Sequence, residues 1–326
     1  MHFPFCSIIV LNYQGEKIIQ KTLDSLLQID YPKDKYEVII MDNGSTDKSA
    51  EILTKYQISN NKLQIKSKFQ IINLPKNIGF SRGNNVGIQK AKGTYIVLLN
   101  NDCVVDKNWL KELVAVAEKD ETIFAVNPKV YLGNTNKIQN AGIRIFKNGY
   151  AQDRGAAPKN NIQDYEKDTG QYDKQVEVDA VCAVASLYRK SALDRIGLFD
   201  ESFFLYYEDV EISERAKKYG YKLIYSPKAV AYHIHSATSN ELSPLFIYHA
   251  EKGRFLHMMY HFPLKTFFSE LTKFSIKSVF RLGYGIKHPT RFIQQLQYIK
   301  VTIFFLFLWP FFIGKRFALN DKLKRN

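Results

Sequence analysis

The feature that most constrains the fold is a repeated alternation of short apolar runs and helix-patterned segments over the first 130 residues. Four continuous apolar runs recur, at Phe5–Leu11, Tyr36–Met41, Phe69–Leu74 and Thr94–Leu99. Strands that lack an apolar–polar alternation are buried on both faces, and the helices between them supply the cover. The pattern predicts an α/β fold with a mostly parallel, Rossmann-like sheet and helices on both of its faces.

The helix-patterned segments carry signals at their ends. Apolar residues repeat at helical spacing over Ile18–Leu27. Ser45 or Thr46 is placed to cap the helix that follows the second strand, and Gly220 suits the end of a later helix that begins near Val210.

Polar clusters occur where the predicted strands end. They are Asn12, Asp42–Asp47, Asn77–Asn85 and Asn100–Asp102. The carboxyl ends of parallel strands meet at one edge of a sheet, and ligands of such sheets bind outside that edge. The clusters therefore predict a binding site there.

Length and composition exclude several classes of protein. The 326 residues suffice for one large domain or two modest ones, and their ordinary composition excludes collagen-like, disordered and disulfide-rich chains. The cysteines Cys6, Cys103 and Cys182 stand singly, at spacings that suit neither a zinc site nor a redox pair. No basic region precedes the first apolar run, so we interpret it as a strand rather than a signal peptide. These features favour a cytoplasmic chain with free thiols.

The net charge of +14 is concentrated at the C-terminal end. Residues 239–326 carry 14 basic and 4 acidic residues, and they hold 19 of the chain's 45 aromatic residues. A nearly neutral body with a basic, aromatic end predicts two parts, a domain at residues 1–238 and a helical extension at residues 239–326. Such an extension suits an anionic partner, either lipid or nucleic acid.

The run Val301–Gly314 is almost entirely apolar, but it is shorter than the roughly 20 residues that a membrane-spanning helix needs. Pro310 interrupts the run, and Lys315-Arg316 follow it. This composition favours helices that lie in a membrane interface with their cations at the lipid headgroups. The alternatives are packing on the main domain, packing on a second subunit in a homodimer, and a transmembrane hairpin.

A nucleic-acid-binding protein is the competing function class for a basic, aromatic extension. Such proteins stack bases on aromatic side chains along a basic groove. Here the aromatic residues cluster in helix-patterned apolar segments, with Trp309 inside the most apolar run. The pattern argues against a nucleic-acid partner.

Two acidic segments are candidate sites of chemistry, although each has a structural alternative. Asn100-Asn101-Asp102 ends a predicted buried strand, where a carboxylate beside amides suits a divalent cation that carries a diphosphate. Glu208-Asp209 opens a predicted helix and could supply a general base. The alternatives are an Asn/Asp turn for the first segment and pairing with the backbone donors of a helix start for the second.

Two further polar residues extend the candidate site. His233 follows a later predicted strand and could bind a metal together with a distant Asp, whereas a lone His is more often structural. Arg82 lies between Gly79 and Gly83, where backbone can approach a phosphate closely and the guanidinium can bind it. No GxGxxG motif follows any strand, so a nicotinamide-dependent enzyme lacks its main signature.

Taken in their order and spacing, these segments resemble the family 2 glycosyltransferases, in particular a rhamnosyltransferase-like branch. The resemblance rests on five stretches between about residue 6 and residue 238: SIIVLNYQG, VIIMDNGSTDKS, KNIGFSRGNNVGI, YIVLLNNDCVV and VDAVCAVASLYRKSALDRIGLFDESFFLYYEDVEISERAKKYGYKLIYSPKAVAYHIHSAT. It implies a GT-A fold with the catalytic domain at residues 1–238. It also implies a metal-assisted, inverting transfer of a sugar from a nucleotide-diphosphate donor to an acceptor hydroxyl.

The resemblance implies a role for each candidate residue. Asp209, with Glu208 beside it, matches the catalytic base. Asp102 and His233 match the protein ligands of a divalent cation, Mg²⁺ or Mn²⁺. The positions that match the nucleotide-sugar site are Val10, Asn12, Asp42, Gly79, Arg82, Asn84, Asn100 and Asn101.

On the acceptor side, the resemblance implies Asp179 and Trp109 as neighbours of the acceptor. It implies a saccharide or lipid-linked saccharide as acceptor, and dTDP-rhamnose or a UDP-hexose as donor. The implied setting is polysaccharide or glycolipid assembly for the cell surface, with the enzyme peripheral at the inner face of the cell membrane.

Three departures from the family pattern bear on these roles. The metal motif begins with two Asn residues, which leaves one protein carboxylate for the cation, and His235 stands where Gly is common. Cys182-Ala183-Val184 stands where Ser/Thr-Gly-Ala is common, which puts the acceptor class in doubt.

A relative that binds the nucleotide sugar without catalysis is an alternative function, and the presence of both Asp209 and His233 argues against it. A nucleotidyltransferase would need a Gly-rich loop with a catalytic Lys or Arg after the first strand, which LNYQGEK does not match.

Overall fold

A computed structural model that describes residues 2–62, 69–157, 165–234 and 243–325 confirms the predicted fold class. An eleven-stranded, mostly parallel sheet forms its centre, with a buried core on each face and three long helices at the C-terminal end. A separate two-stranded hairpin lies outside this sheet.

Strands and helices are numbered in chain order. The strands are β1 Cys6–Asn12, β2 Tyr36–Asp42, β3 Phe69–Asn73, β4 Tyr95–Asn100, β5 Cys103–Val105, β6 Ile123–Leu132, β7 Lys137–Asn140, β8 Ile143–Ile145, β9 Ala151–Asp153, β10 Glu166–Lys167, β11 Val176–Glu177, β12 Leu187–Arg189 and β13 Lys222–His233. The helices are α1 Ile19–Leu27, α2 Ser49–Lys62, α3 Phe80–Lys90, α4 Trp109–Ala117, α5 Lys190–Ile196, α6 Glu208–Lys218, α7 Pro244–His261, α8 Leu264–Lys287 and α9 Pro289–Arg325. The first four strands agree with the four predicted runs to within one residue at each end.

The order of the strands explains how the candidate residues come together. Strands β3, β2, β1 and β4 are parallel neighbours, and β12 lies antiparallel between β4 and β6. Asn12 at the end of β1 pairs in register with Asp42 at the end of β2, and Asn100 at the end of β4 pairs with Leu11. The predicted convergence of polar strand ends is therefore present in the fold.

Burial on both faces accounts for the continuous apolar runs. In β1, Ile8 and Val10 pack into the core that α1 and α4 cover, and Ile9 packs into the opposite core beneath α3, α5 and α6. All three side chains are fully buried. Successive residues of a strand point to opposite faces. A strand that is covered on both faces is therefore apolar at successive positions and shows no apolar–polar alternation.

The helix after β2 begins later than its sequence signals indicate. The Ser45 hydroxyl donates to Asp42 Oδ1 at 2.6 Å, and the Thr46 hydroxyl accepts from the Gln14 side chain at 3.0 Å. Helix α2 begins at Ser49, whose backbone N–H donates to the carboxylate of Asp47 at 3.0 Å. The prediction of a cap at Ser45 or Thr46 is wrong, because contacts at the strand ends occupy both hydroxyls.

The C-terminal helices share a core of their own. Phe255, Phe267 and Phe305, one from each of α7, α8 and α9, meet in a fully buried aromatic cluster. Phe203, from the segment before α6, belongs to the same cluster. Helix α9 continues through Pro310 and is 37 residues long, so the apolar run belongs to a much longer helix.

Carboxylate–histidine contacts join α6 to α7, beside a buried ion pair within α6. Glu211 accepts hydrogen bonds from Arg215 at 2.6 and 3.1 Å, and it lies 3.2 Å from Nε2 of His261 on α7. One turn further along α6, Glu214 lies 2.7 Å from Nε2 of His257 on α7. Burial acts to raise the pKa of Glu211, but the Arg215 guanidinium and the contact with His261 together outweigh it and lower that pKa to about 2.

We expect Glu211→Gln to lower the free energy of unfolding at neutral pH by about 3–5 kcal/mol, because it leaves Arg215 buried without its charge partner. The folded-state pKa of about 2 lies below the ordinary value of 4.5. The ionised carboxylate therefore stabilises the fold above about pH 4.5, and this effect is lost as the pH falls towards about 2. Urea unfolding at neutral and at acidic pH measures the difference between variant and wild type.

The matched control is Asp194→Asn on α5, which removes an exposed pair with Lys190 and should cost less than about 1 kcal/mol. Equal stability of Glu211→Gln and the wild type at neutral pH would show that the buried Glu211–Arg215 pair does not stabilise the fold.

Candidate functional site

Polar side chains from three strand ends form one connected network of hydrogen bonds. Asn12 Nδ2 donates to Asp42 Oδ1 at 2.9 Å, and Asn101 Nδ2 donates to Asn12 Oδ1 at 2.9 Å. Ser45 donates to the same oxygen of Asp42. Asn12, Asp42 and Asn101 are buried, so the network holds Asp42 in one orientation at the edge of the sheet.

Val10 does not reach this edge. Its side chain is fully buried in the core beneath α1 and α4, two residues before β1 ends. Val10 lies on the same face of β1 as Asn12, two residues away, but core side chains cover it there, so the prediction that it lines a nucleotide pocket stays a prediction for its backbone alone.

The loop before α3 holds the other nucleotide-side candidates. Gly79 has φ +89°, and a Cβ there would lie 2.7 Å from Phe204. Asn84 is buried, and its Nδ2 donates to a carbonyl of its own helix at 3.0 Å. Arg82 is mostly exposed, with its Nε 3.5 Å from a carboxylate oxygen of Glu201. An exposed pair of this kind is weak, so an incoming phosphate can compete for Arg82.

Asp102, Cys103 and His233 form a group of side chains able to bind a metal ion. Cys103 on β5 pairs in register with His233 at the end of β13, and such cross-strand partners project to the same face. Asp102 Oδ1 and His233 Nε2 are 3.0 Å apart, and the ligand atoms of all three residues lie within 4.8 Å of one another. The fold thus brings together the two ligands expected from the sequence and adds a thiol. His235 lies outside the described residues.

The geometry fits a divalent cation between Asp102 and His233. Two ligand atoms that each lie about 2.1 Å from one ion, at an angle near 90°, are about 3 Å apart. The observed separation is 3.0 Å. His233 Nδ1 lies 2.9 Å from Gln139 Oε1, and donation from Nδ1–H to Gln139 leaves the Nε2 lone pair facing the carboxylate. A cation at that point satisfies both groups.

Glu208 and Asp209 open α6, where the sequence predicts a base. Asp209 Oδ2 accepts from the backbone N–H of Ala183 at 3.2 Å, and Oδ1 accepts from the N–H of Val210 at 2.8 Å. Burial raises the pKa of Asp209, and burial together with the charge of Asp209 raises the pKa of Glu208 well above its usual range. Glu208 Oε2 has no hydrogen-bond partner among the described residues. Asp209, oriented by two backbone donors, is the carboxylate of the pair that is suited to accept a proton.

A short segment connects this carboxylate to the end of β4. Ala183 donates its N–H to Asp209, and the next residue, Val184, accepts the backbone N–H of Asn100 at 2.8 Å. The carbonyl of Ala185 accepts the indole N–H of Trp109 at 3.1 Å. Trp109 is fully buried. Its side chain supports this segment from the core and does not reach a surface, so the predicted nearness of Trp109 to the acceptor stays a prediction without direct contact.

Asp179 lies beside α6, next to the hairpin of β8 and β9. Its Oδ2 accepts the backbone N–H of Ile145 at 3.0 Å, and its Oδ1 is 4.0 Å from Nζ of Lys217. The same hairpin contacts Tyr207, whose hydroxyl accepts from the N–H of Ala151 at 3.0 Å. Asp179 remains 48% exposed, so it orders the hairpin near the base and is still open to solvent.

Sequence reasoning missed several residues that complete the site. A Cβ at Gly15 would lie 2.0 Å from Asn12 Oδ1, so only glycine leaves room for the polar network. Gln139 is far in sequence from the histidine that it orients, and no local signal reveals it. Tyr206 and Tyr207 have φ values of +67° and +70°, which sequence patterns do not predict for tyrosine.

Comparison with known proteins leads to one family. A sequence model of Glycosyl transferase family 2 matches residues 7–197, more than half of the chain. The chain is also 25% identical over 228 residues to poly-beta-1,6-N-acetyl-D-glucosamine synthase of Staphylococcus epidermidis, a match that covers 69% of this chain and 49% of that protein. The chain thus spans about half the length of this curated relative.

Solved structures with a similar fold extend the comparison. GalNAc-T7, solved with UDP, GalNAc and Mn²⁺, gives a TM-score of 0.62 at 19% identity and covers 79% of this chain and 48% of that one. The mannosyltransferase PcManGT from Pyrobaculum calidifontis, in complex with GDP-Man and Mn²⁺, gives 0.59 at 16% identity and covers 94% of this chain and 88% of that one. At these identities the likeness concerns the fold, which is the GT-A fold.

We expect Gln139→Leu to weaken Mn²⁺ binding about 10- to 100-fold, because the loss of its amide lets the ring of His233 reorient. Asp102→Ala should weaken binding at least as much, since it removes a ligand. Isothermal titration with Mn²⁺ alone measures both effects. Gln152→Leu, an exposed residue of β9, is the matched control and should bind like the wild type. Unchanged affinity in the first two variants would place the cation elsewhere.

Proposed function

The chain belongs to glycosyl transferase family 2, and we propose that it catalyses a metal-dependent, inverting transfer of a sugar from a nucleotide-diphosphate donor to a hydroxyl of a saccharide or lipid-linked saccharide. The observation that carries the proposal is the position of Asp209. Its carboxylate is aimed by two backbone N–H groups, one of which belongs to the segment that also bonds to the end of β4. Because this segment joins the base to the polar strand ends, Asp209 suits a reaction in which the donor and the acceptor come together at that edge of the sheet. The proposed role is cell-surface polysaccharide synthesis.

Asp209 supplies the general base in this proposal. An acceptor hydroxyl is too weak an acid to attack unaided at neutral pH. As the hydroxyl oxygen bonds to the anomeric carbon, its proton passes to Asp209. The bond from that carbon to the diphosphate oxygen breaks, and its electron pair leaves on the nucleotide diphosphate. Attack opposite the leaving group inverts the anomeric configuration. Burial and the neighbouring charge of Asp209 raise the pKa of Glu208, which favours its neutral form beside the base.

The donor is proposed to lie along the strand ends. Asp42 and Asn12, oriented by their network, suit recognition of the nucleoside, and Arg82 is free to reach the diphosphate. Asp102 and His233 would hold the cation, Mg²⁺ or Mn²⁺. When bound, that ion neutralises the diphosphate and stabilises the charge that develops on the leaving group. The Mn²⁺ in the GalNAc-T7 and PcManGT structures supports this assignment.

The family resemblance implies two donor classes, dTDP-rhamnose and UDP-hexoses. GalNAc-T7 was solved with UDP, and the Staphylococcus epidermidis relative is named for the synthesis of poly-N-acetyl-D-glucosamine. PcManGT, in contrast, was solved with GDP-Man. The name of the relative favours a hexose derivative over rhamnose as the transferred sugar, and the nucleotide is left to experiment. A thermal-shift panel of UDP, dTDP, GDP and CDP, each with and without Mn²⁺, distinguishes the classes because a ligand that binds only the folded state raises the Tm.

We expect Asp209→Asn to lower kcat by at least about 10²-fold, because an amide keeps the size of the side chain but accepts no proton. Nucleotide binding, measured by isothermal titration, should remain at the wild-type level. Wild-type activity should fall as the pH drops through the pKa of the Glu208–Asp209 pair, which burial places above the usual carboxyl range. Asp194→Asn, exposed on α5, is the control and should stay active. Full transfer activity in Asp209→Asn would mean that another residue is the base.

We further propose that the C-terminal extension holds the enzyme at the inner face of the cell membrane. Among the helices of the described ranges, α9 is long and apolar enough over Pro289–Leu319 to cross a bilayer, judged by length and composition. Val301, Phe305 and Phe312, however, bury one side of α9 in the core shared with α7 and α8. Helix α9 is apolar on all sides but is covered by protein on only one side, so its other side needs a second apolar environment. Its packing against α7 and α8 favours a position in the membrane interface, because spanning the bilayer would require α9 to leave that core.

The uncovered side of α8 and α9 forms an apolar face. Phe280 and Phe307 are 75% and 76% exposed. The residues that define this α8–α9 apolar face are Val279, Phe280 and Ile286 on α8, and Ile293, Phe307 and Phe311 on α9. Exposed cations lie on the same two helices, namely Lys265, Lys273, Lys277, Lys287, Arg291 and Lys300. Apolar faces of this extent mark interaction sites, and the basic residues complement anionic headgroups. A lipid-linked acceptor would be presented on the same surface.

We expect the double variant Phe280→Asp/Phe307→Asp to bind mixed phosphatidylglycerol–phosphatidylcholine vesicles at least about 10-fold more weakly, because each buried Phe side chain contributes about 1.5–3 kcal/mol. Co-sedimentation measures the binding, and pure phosphatidylcholine vesicles should bind the wild type less well. Val176→Asp, which replaces an exposed residue of β11, is the matched control. If the double variant bound vesicles normally but converted a dimer to a monomer on size exclusion, the face would be an interface between two copies.

A further inference from the structure

We propose that Gly253 on α7 is a positioning residue for the catalytic base, an inference that rests on the proposed role of Asp209. Gly253 acts through Tyr206 and Tyr207, the two residues that lead into α6. In this view the C-terminal extension contributes to catalysis as well as to attachment, because one of its helices sets the turn that aims the carboxylate.

Tyr206 and Tyr207 hold a backbone conformation that residues with side chains rarely adopt. Their φ values are +67° and +70°, and Tyr207 immediately precedes the first residue of α6, Glu208. Two consecutive left-handed residues other than glycine persist only where the surrounding structure enforces them. The direction of the first turn of α6, and with it the aim of Asp209, depends on this enforced turn.

Helix α7 makes direct backbone contact with the turn. A Cβ at Gly253 would lie 2.8 Å from the carbonyl oxygen of Tyr206 and 2.9 Å from Cβ of Tyr207. Phe246, seven residues earlier and on the same helical face, packs edge-on against the Tyr206 ring with centroids 4.9 Å apart. Both tyrosines therefore rest on one face of α7, and the absence of a side chain at Gly253 sets how closely they approach it.

The β8–β9 hairpin holds the turn from another side. The Tyr207 hydroxyl donates to the carbonyl of Gly149 at 3.3 Å and accepts from the N–H of Ala151 at 3.0 Å. The hairpin itself contacts α7, since a Cβ at Gly149 would lie 2.4 Å from Met258. Tyr207 is thus fixed between α7 and the hairpin, so an added methyl group at Gly253 must displace the turn that precedes Asp209.

We expect Gly253→Ala to lower kcat about 10²-fold, the effect of a displacement of about 1 Å in a catalytic group. The donor KM and the nucleotide Kd should change much less than kcat, because the turn is connected to the nucleotide side only indirectly, through Phe204, which packs on Gly79. The pH–rate profile distinguishes this role from a merely structural one, because a loss of packing alone would not shift it. A displaced Asp209 loses the hydrogen bond from Ala183 that favours its charged form, so the acid limb should move to higher pH.

The matched control is Gly283→Ala on α8, where an added Cβ would meet nothing within 4 Å. This variant should keep the wild-type kcat, pH profile and Tm. Phe246→Ala serves as a second test that keeps Gly253 in place. It removes the support beneath Tyr206 and should lower kcat in the same direction by a smaller factor.

Hydrogen exchange over residues 206–211 tests the turn without any sugar substrate. Exchange there should be faster in Gly253→Ala and in Phe246→Ala than in the wild type, and unchanged in Gly283→Ala. A folded Gly253→Ala with wild-type kcat, or with unchanged exchange over this segment, would overturn the proposal. If the wild-type protein transferred no sugar while the exchange difference appeared, the proposed function would fail and the coupling of α7 to the turn would stand.

Discussion

Burial of both faces of the parallel strands β1, β2 and β4 is the constraint on which the site depends. With α1 and α4 on one side and α3, α5 and α6 on the other, most side chains of these three strands are covered, so polar groups gather where the strands end. Parallel pairing in register then places those ends side by side, so that Asn12 and Asp42 become hydrogen-bonded neighbours. The polar cluster follows from the same packing that makes the sheet stable.

The chemistry requires a second connection, from this edge to a carboxylate that comes from a distant part of the sequence. Strand β12 supplies it, because its antiparallel course between β4 and β6 brings the segment before it to the end of β4. Backbone groups of adjacent residues in that segment bond to Asn100 on one side and to Asp209 on the other. Trp109 supports the segment from the core. The extension then braces the turn before Asp209 through α7, so the base is held by elements on both of its sides.

Much of this arrangement could be predicted from local sequence patterns. The apolar runs located the first four strands, and the polar clusters located the edge at which Asn12, Asp42 and Asn100 meet. The spacing of His233 and Asp102 was informative only through the family resemblance, since nothing local brings residues so distant in sequence within 3.0 Å. Val10 and Trp109 were assigned to the site by position in a motif, and the fold buries both side chains in the core.

By itself the sequence determined the class of fold, the strand-end location of the site and the basic, aromatic character of the last helices, because periodicity and charge are local properties of the chain. The tertiary structure decided the rest. Gln139 orients His233, and the Val184 carbonyl accepts the backbone N–H of Asn100. Helix α7 packs against two tyrosines whose backbone is in the left-handed conformation. Each of these contacts depends on which elements pack together. That packing depends on pairing between residues far apart in the sequence, which local sequence patterns do not reveal.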